Sequence, residues 1–229
     1  MSFLYKSVVT SLLFSTCFVS SAFAECPVAN KAVARGEYGQ ALSYYEMCLA
    51  NTPDSEDYYK LASLYYKSMG LTAADYILAE KFYSLAAKRG HAPSMLFLGL
   101  MALNGNNRDS VDKVDAYKWF MLASERPENK WIYGFYTADT PKSVEYLRQV
   151  GATLSDEEKE KASVLAGRYK EEIIMQQAER IYGADTPELK DFRDGYYASD
   201  EMRERVLGEL KLRMQSEPED TDRYKPVGW

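Results

Sequence analysis

Leu98-Gly99-Leu100-Met101-Ala102-Leu103-Asn104-Gly105, followed by Ala116-Tyr117-Lys118-Trp119-Phe120-Met121-Leu122-Ala123, decides the fold of this chain. Shifted back by 37 residues the same slots recur: Leu61 for Leu98, Ala62 for Gly99, Ala79 for Ala116, Phe82 for Trp119, Tyr83 for Phe120 and Ala86 for Ala123. A third copy lies 38 residues further upstream, at Ala41, Tyr44, Tyr45 and Cys48. A fixed period of this length predicts stacked helical hairpins rather than one closed core.

The small residues explain how such hairpins pack. Ala62 or Gly99 on a first helix faces Ala79 or Ala116 on the second, so the backbones approach closely. Phe82, Tyr83, Trp119 and Phe120 then fill the wedge towards the next hairpin. The spacing predicts a short helix between Glu25 and Arg35, a turn at Gly36, and a helix through Cys48 that stops before Pro53. The second hairpin is predicted over about Ser55–Lys67 and Ala73–Lys88, ended by Gly90, and the third over about Pro93–Leu103 and Lys113–Ser124.

These residues resemble the Sel-1-like repeat, a relative of the tetratricopeptide repeat with a longer loop between its helices. The third copy carries the pattern most fully, at Leu98-Gly99, Ala102, Gly105, Ala116, Trp119-Phe120 and Ala123. The second departs at Ala62 and at Ser68, where the pattern has glycine, and the first is closer to a plain tetratricopeptide hairpin. The resemblance spans roughly Glu25–Ser124 and implies an all-α, short α-solenoid of about three hairpins with a helical C-terminal extension. It also implies envelope roles: assembly of secretion or motility machines, regulation of a membrane sensor, or host contact.

Family members often close with a capping helix, and Leu154-Ser155-Asp156-Glu157-Glu158 is similar to such a start. Ser155 and Glu158 form a capping box, predicting a helix to about Ile181. The expected organisation is hairpins over 25–126, an aromatic insertion and capping helix over 127–182, C-terminal helices over 183–215 and a mobile tail over 216–229. The insertion carries Trp131, Tyr133, Phe135 and Tyr136, four aromatics in six residues. One C-terminal helix is predicted after Thr186-Pro187 and another from Ser199 to about Gln215.

Residues 1–24 read as a signal peptide, with Lys6, an apolar and hydroxylic Val8–Val19 stretch, and an Ala22-Phe23-Ala24 cleavage site. A competing reading lipidates Cys17, although Phe14-Ser15-Thr16 is a poor lipobox. Cleavage after Ala24 would leave 27 basic against 34 acidic groups, with no transmembrane segment expected thereafter. That balance argues against nucleic acid or a bare anionic membrane as partner. The location expected is the periplasm or the exterior.

Cys26 and Cys48 flank the Gly36 turn and face each other at the open end of the first hairpin, which predicts a disulfide. The alternative is two buried small side chains, since Cys48 fills the slot of Ala86 and Ala123.

Catalytic chemistry has little to stand on. The single histidine, His91, reads as a surface residue or helix cap without carboxylates at metal-ligand spacing. Asn104-Gly105-Asn106-Asn107 lacks the Lys-Ser/Thr of a phosphate loop. No catalytic residue, metal or cofactor is therefore expected. In the repeat register Glu56, Tyr59, Ser63, Tyr66 and Lys67 point to the concave side from the second hairpin, with Leu96, Leu100, Leu103 and Asn104 from the third. Leu96 and Leu100 alternatively pack on the following element. The reading is a periplasmic, non-enzymatic adaptor or regulator for another envelope protein or peptide. The alternative is a peptidoglycan- or glycan-associated protein or small envelope enzyme using the aromatic insertion.

Overall fold

Asp54 opens the second hairpin by accepting from the backbone N–H groups of Glu56 and Asp57, and the helix it starts runs to Tyr66 before the loop intervenes. The structure, a computed structural model, describes residues 26–51, 54–107, 109–125, 140–182, 187, 190, 194 and 200–216. The expected signal peptide, the insertion residues Trp131, Tyr133, Phe135 and Tyr136, the expected tail from 217 and most of the helix expected after Thr186-Pro187 lie outside these residues.

Among the described residues all regular structure is helical: α1 (Pro27–Ala34), α2 (Tyr38–Leu49), α3 (Ser55–Tyr66), α4 (Tyr76–Ala87), α5 (Ala92–Asn104), α6 (Lys113–Ser124), α7 (Thr140–Gly151), α8 (Asp156–Tyr182) and α9 (Asp200–Ser216). Helices α1 and α2, α3 and α4, and α5 and α6 pair as hairpins, and each hairpin stacks on the next through α2–α3 and α4–α5. The fold is an α-solenoid. No helix among the described residues is long and apolar enough to cross a membrane.

The second and third hairpins repeat bond for bond. Met69 donates to the Leu64 carbonyl and Asp75 to that of Tyr65; 37 residues on, Asn106 donates to Met101 and Asp112 to Ala102. Asp75 caps α4 by accepting from Leu78 N–H at 2.9 Å, and Asp112 caps α6 by accepting from Asp115 N–H at 2.8 Å. The Asp75 cap is why α4 begins at Tyr76 and not near Ala73 as the sequence suggested. A cap of this kind stabilises its helix by about 1 kcal/mol.

Aromatic side chains hold the hairpins together. Tyr45, Tyr83 and Phe120 occupy one slot in successive copies, and all three are fully buried. Tyr83 stacks forward on Phe97 of α5 at 5.1 Å between ring centroids, Phe120 on Tyr146 of α7 at 5.2 Å, and Trp119 packs edge-on against Tyr169 of α8 at 4.8 Å. Phe82 departs from the expected wedge and stacks instead on Tyr58 and Tyr65 of its own hairpin. Gly70, at φ +79°, lets the α3–α4 loop lie on the start of α2, where a Cβ would sit 2.7 Å from the Gly39 nitrogen.

The disulfide joins Cys26, ahead of α1, to Cys48 in the last turn of α2, with Cα atoms 5.9 Å apart. The Cys26 N–H also donates to the buried Asp57 carboxylate at 2.8 Å, tying the first hairpin to α3.

Helix α7 is an element that the sequence reading passed over. Ser143, Tyr146, Leu147 and Val150 recur at helical spacing along it, with Ser143 and Val150 fully covered. Both α7 and α8 pack on α6. Tyr117 fills the space that the absent side chain of Gly151 leaves, and Lys170 pairs with Glu125. The Ser155–Glu158 capping box forms as expected: Ser155 N–H donates to the Glu158 carboxylate at 2.8 Å, and Glu158 N–H to Ser155 Oγ at 3.2 Å. Helix α9 returns to α8 through Arg203 and Glu171, with Val206 and Leu207 buried.

Candidate partner-binding face

Helix α5 carries no charged residue over its thirteen positions, and eight of them are buried. Its half-buried Phe97 is the centre of an aromatic cluster shared with α3 and α4. Tyr59 lies 5.9 Å from Phe97, 5.9 Å from Tyr83 and 4.9 Å from the His91 ring. Tyr66 meets Phe97 edge-on at 5.6 Å and also packs against Tyr76 and Tyr83. Such edge-on and offset contacts satisfy the ring quadrupoles and each add about 0.5–1.5 kcal/mol beyond area burial.

The polar atoms are arranged around this cluster. Ser63 Oγ and the Tyr83 hydroxyl share a hydrogen bond of 3.0 Å. Burial pushes the Tyr66 phenol above its ordinary range, neighbouring Tyr76 adds to this, and a hydrogen bond with the Asn104 side chain pulls it back, while Tyr146 of α7 adds a little more. Burial also raises the Tyr83 phenol, so both hydroxyls keep their protons further into the alkaline range than a free tyrosine does.

The structure therefore brings together Tyr59, Ser63, Tyr66 and Asn104 among the residues singled out by sequence. Glu56 sits at one end, its carboxylate 3.2 Å from His91 Nε2 and 3.7 Å from Lys60 Nζ. Lys67 and Asn104 are exposed, Leu103 and Leu100 are half-buried and Leu96 is buried. Tyr59 and Tyr66 also have a packing role of their own, against Tyr76, Tyr83 and Phe97. The four insertion aromatics lie outside the described residues.

His91 takes the second of the two roles read from the sequence, surface residue or helix cap. It is a cap, but not a surface residue: 1% exposed, it accepts from the Ser94 N–H through Nδ1 at 3.2 Å. Phe97, Tyr76, Tyr83 and Tyr146 were not singled out as site residues, although the forward lean of the repeat aromatics pointed to a contact at each following hairpin. The close grouping of Cys26, Cys48 and Asp57, with ligand atoms within 4.8 Å of one another, is no metal donor set, because the two sulfurs are bonded to each other.

No protein-family model matches the sequence, and no curated protein matches it. Among solved structures the chain is similar to the crystal structure of c5321, a protective antigen present in uropathogenic Escherichia coli strains and displaying an SLR fold. The likeness has a TM-score of 0.54 at 18% identity and covers 70% of this chain. It covers 32% of the other chain, so this protein spans about a third of that length. Taken with the 37-residue loop framework, the likeness shows the architecture: the chain has the Sel1-like repeat fold.

Proposed function

We propose that this protein is a non-enzymatic adaptor or regulator of the periplasm that holds a protein or peptide partner on the face shared by α3 and α5. The observation that carries the reading is the uncharged α5 wall beside Tyr59, Tyr66 and Asn104. Half-buried tyrosines offer large, rigid contact area with a polar tip, at little conformational cost on binding. Asn104 adds an exposed carboxamide with both donor and acceptor, suited to main-chain groups of an extended segment. The disulfide favours an oxidising compartment, in keeping with the reading of residues 1–24 as a signal peptide.

The test is site-specific photo-crosslinking in cells. A photoreactive residue placed at exposed Lys67 or Asn104 should give a discrete adduct, and one at exposed Ile77 on α4 should not. Equal labelling from all three positions, or none, would remove support from this face.

A further inference from the structure

His91 stands 37 residues after Asp54, so the two occupy the same cap slot in successive repeats. An Asp cap remains an acceptor at any pH well above the carboxylate range. A His cap accepts only while one ring nitrogen carries no proton, and it is the side chain whose charge changes between about pH 5 and 8. This is the only histidine in the chain.

The cap contact assigns which nitrogen that is. The Ser94 N–H points at Nδ1, 3.2 Å away, so Nδ1 is the bare acceptor and Nε2 bears the hydrogen. Nε2–H then donates to Glu56 Oε2 at 3.2 Å, across the boundary between the second and third hairpins. Ser94 Oγ also lies within hydrogen-bond distance of Nδ1, at 2.9 Å.

We propose that His91 is a proton-operated coupling between the two repeats: protonation releases the first turn of α5 and tightens its hold on α3. On gaining a proton, Nδ1 becomes a donor. The Ser94 hydroxyl must rotate to accept from it, and the Ser94 N–H loses the imidazole and keeps only its bond to the His91 carbonyl, at 3.1 Å. Meanwhile Nε2–H to Glu56 becomes a contact between opposite charges, stronger than its neutral form. Glu56 faces the imidazole from α3 with Lys60 behind, the Tyr59 phenol lies against its ring, Tyr83 of α4 is one ring further on, and Arg89 on the preceding turn is directed to the Leu85 carbonyl and the Tyr58 ring. Asp54, in the second hairpin, has no such response, so the device acts at one boundary of the solenoid.

The experiment follows the single imidazole by nitrogen NMR in the mature, disulfide-bonded protein while amide exchange is read at Ser94. At pH 8 the shifts should report the tautomer with hydrogen on Nε2. As the imidazole takes up its proton, the Ser94 protection factor should fall by about two- to five-fold, the share of a cap that is lost. In His91→Asn, which caps without titrating, Ser94 protection should stay level over the same range. The proposal is overturned by a hydrogen on Nδ1 at pH 8, by an imidazole that takes up no proton down to pH 4.5, or by Ser94 protection that stays level in the wild type while the ring titrates. These wild-type measurements decide the matter even if the variant fails to fold.

Discussion

The second and third hairpins share a backbone and differ in what fills it. Tyr83 and Phe120 are equivalent and equally buried, yet Tyr83 brings a hydroxyl that needs a partner. Ser63 supplies it, and Leu100 stands at the matching position opposite Phe120. Likewise Ala62 occupies the slot of Gly99, where an added Cβ would lie 2.5 Å from the Phe120 ring. In the second hairpin Ala62 carries that methyl group and is itself fully buried. Each pair of slots is thus chosen together, and the second hairpin carries polar atoms where the third is wholly apolar. The polar face between them is where the candidate partner-binding residues lie.

The largest expected effect concerns the hairpin that neither of these resembles. The first is short, with α1 only eight residues long, and it has the disulfide the other two lack. Replacing both Cys26 and Cys48 by Ala should lower stability by about 3 kcal/mol on the chain-entropy estimate. Chemical denaturation of the variant against the oxidised wild type measures it. A loss below about 1 kcal/mol would mean that α1 and α2 hold without their staple.

Exchanging slots between hairpins should be nearly as costly. Phe120→Tyr places a hydroxyl where the register offers Leu100, and a buried hydroxyl without a partner costs about 1–3 kcal/mol. Adding Leu100→Ser should recover part of that loss, a coupling that a double-mutant cycle would read directly. If the two changes are simply additive, the positions do not face each other as Ser63 and Tyr83 do. Gly99→Ala should destabilise by about 1–3 kcal/mol through overpacking against Phe120, whose ring is itself pinned on Tyr146.

How far this was legible beforehand follows from what the repeat fixes. Leu61, Ala62, Ala79 and Ala86 against Leu98, Gly99, Ala116 and Ala123 carry the period, because helix-on-helix contact tolerates only small or well-shaped side chains at those slots. The cysteine pair was legible for a similar reason, lying on either side of one turn. The candidate face was legible only in part. Register placed Tyr59 and Tyr66 on α3, but Phe97 stands opposite Lys60 in the alignment of copies, so the repeat gave no reason to expect an aromatic there. For His91 the cap role was legible from its place before a helix, but not its burial, which comes from Glu56 and Tyr59 of the neighbouring repeat. Helix α7 lies beyond the 37-residue period, so the register carried no expectation for Ser143, Tyr146 and Val150.

The hydroxyl difference also sets a pH dependence. Burial raises the Tyr83 phenol, the Ser63 bond opposes this, and Tyr59 and Tyr66 reinforce it. A raised acid loses stabilisation as pH climbs: its contribution is complete below about pH 10, where the unfolded tyrosine is still protonated, and declines above it. In that window Tyr83 alone should reduce stability by about 1.4 kcal/mol per pH unit. Tyr83→Phe should flatten this alkaline slope by about that amount. An unchanged slope would mean that Tyr83 releases its proton in the folded protein.

The smallest effect is a gain. Ser68 and Gly105 hold the same position in the two loops, and both are left-handed, at φ +53° and +69°. Their backbone bonds match as well, Ser68 N–H donating to Tyr65 and Gly105 N–H to Ala102. Glycine adopts this conformation freely, whereas a residue with a Cβ meets the following carbonyl at a cost of about 1–2 kcal/mol. Against that, glycine gives the unfolded chain more freedom, and the Ser68 hydroxyl contributes a local bond to the Lys67 carbonyl at 2.7 Å. That bond is exposed and exchanges readily for water, so relief of strain should prevail. Ser68→Gly should therefore raise the denaturation midpoint by the equivalent of about 0.5–1 kcal/mol, and Gly105→Ser should lower it by a similar amount. If Ser68→Gly lowers stability instead, the serine is held in place by something the third hairpin lacks, and the two loops are alike in backbone only.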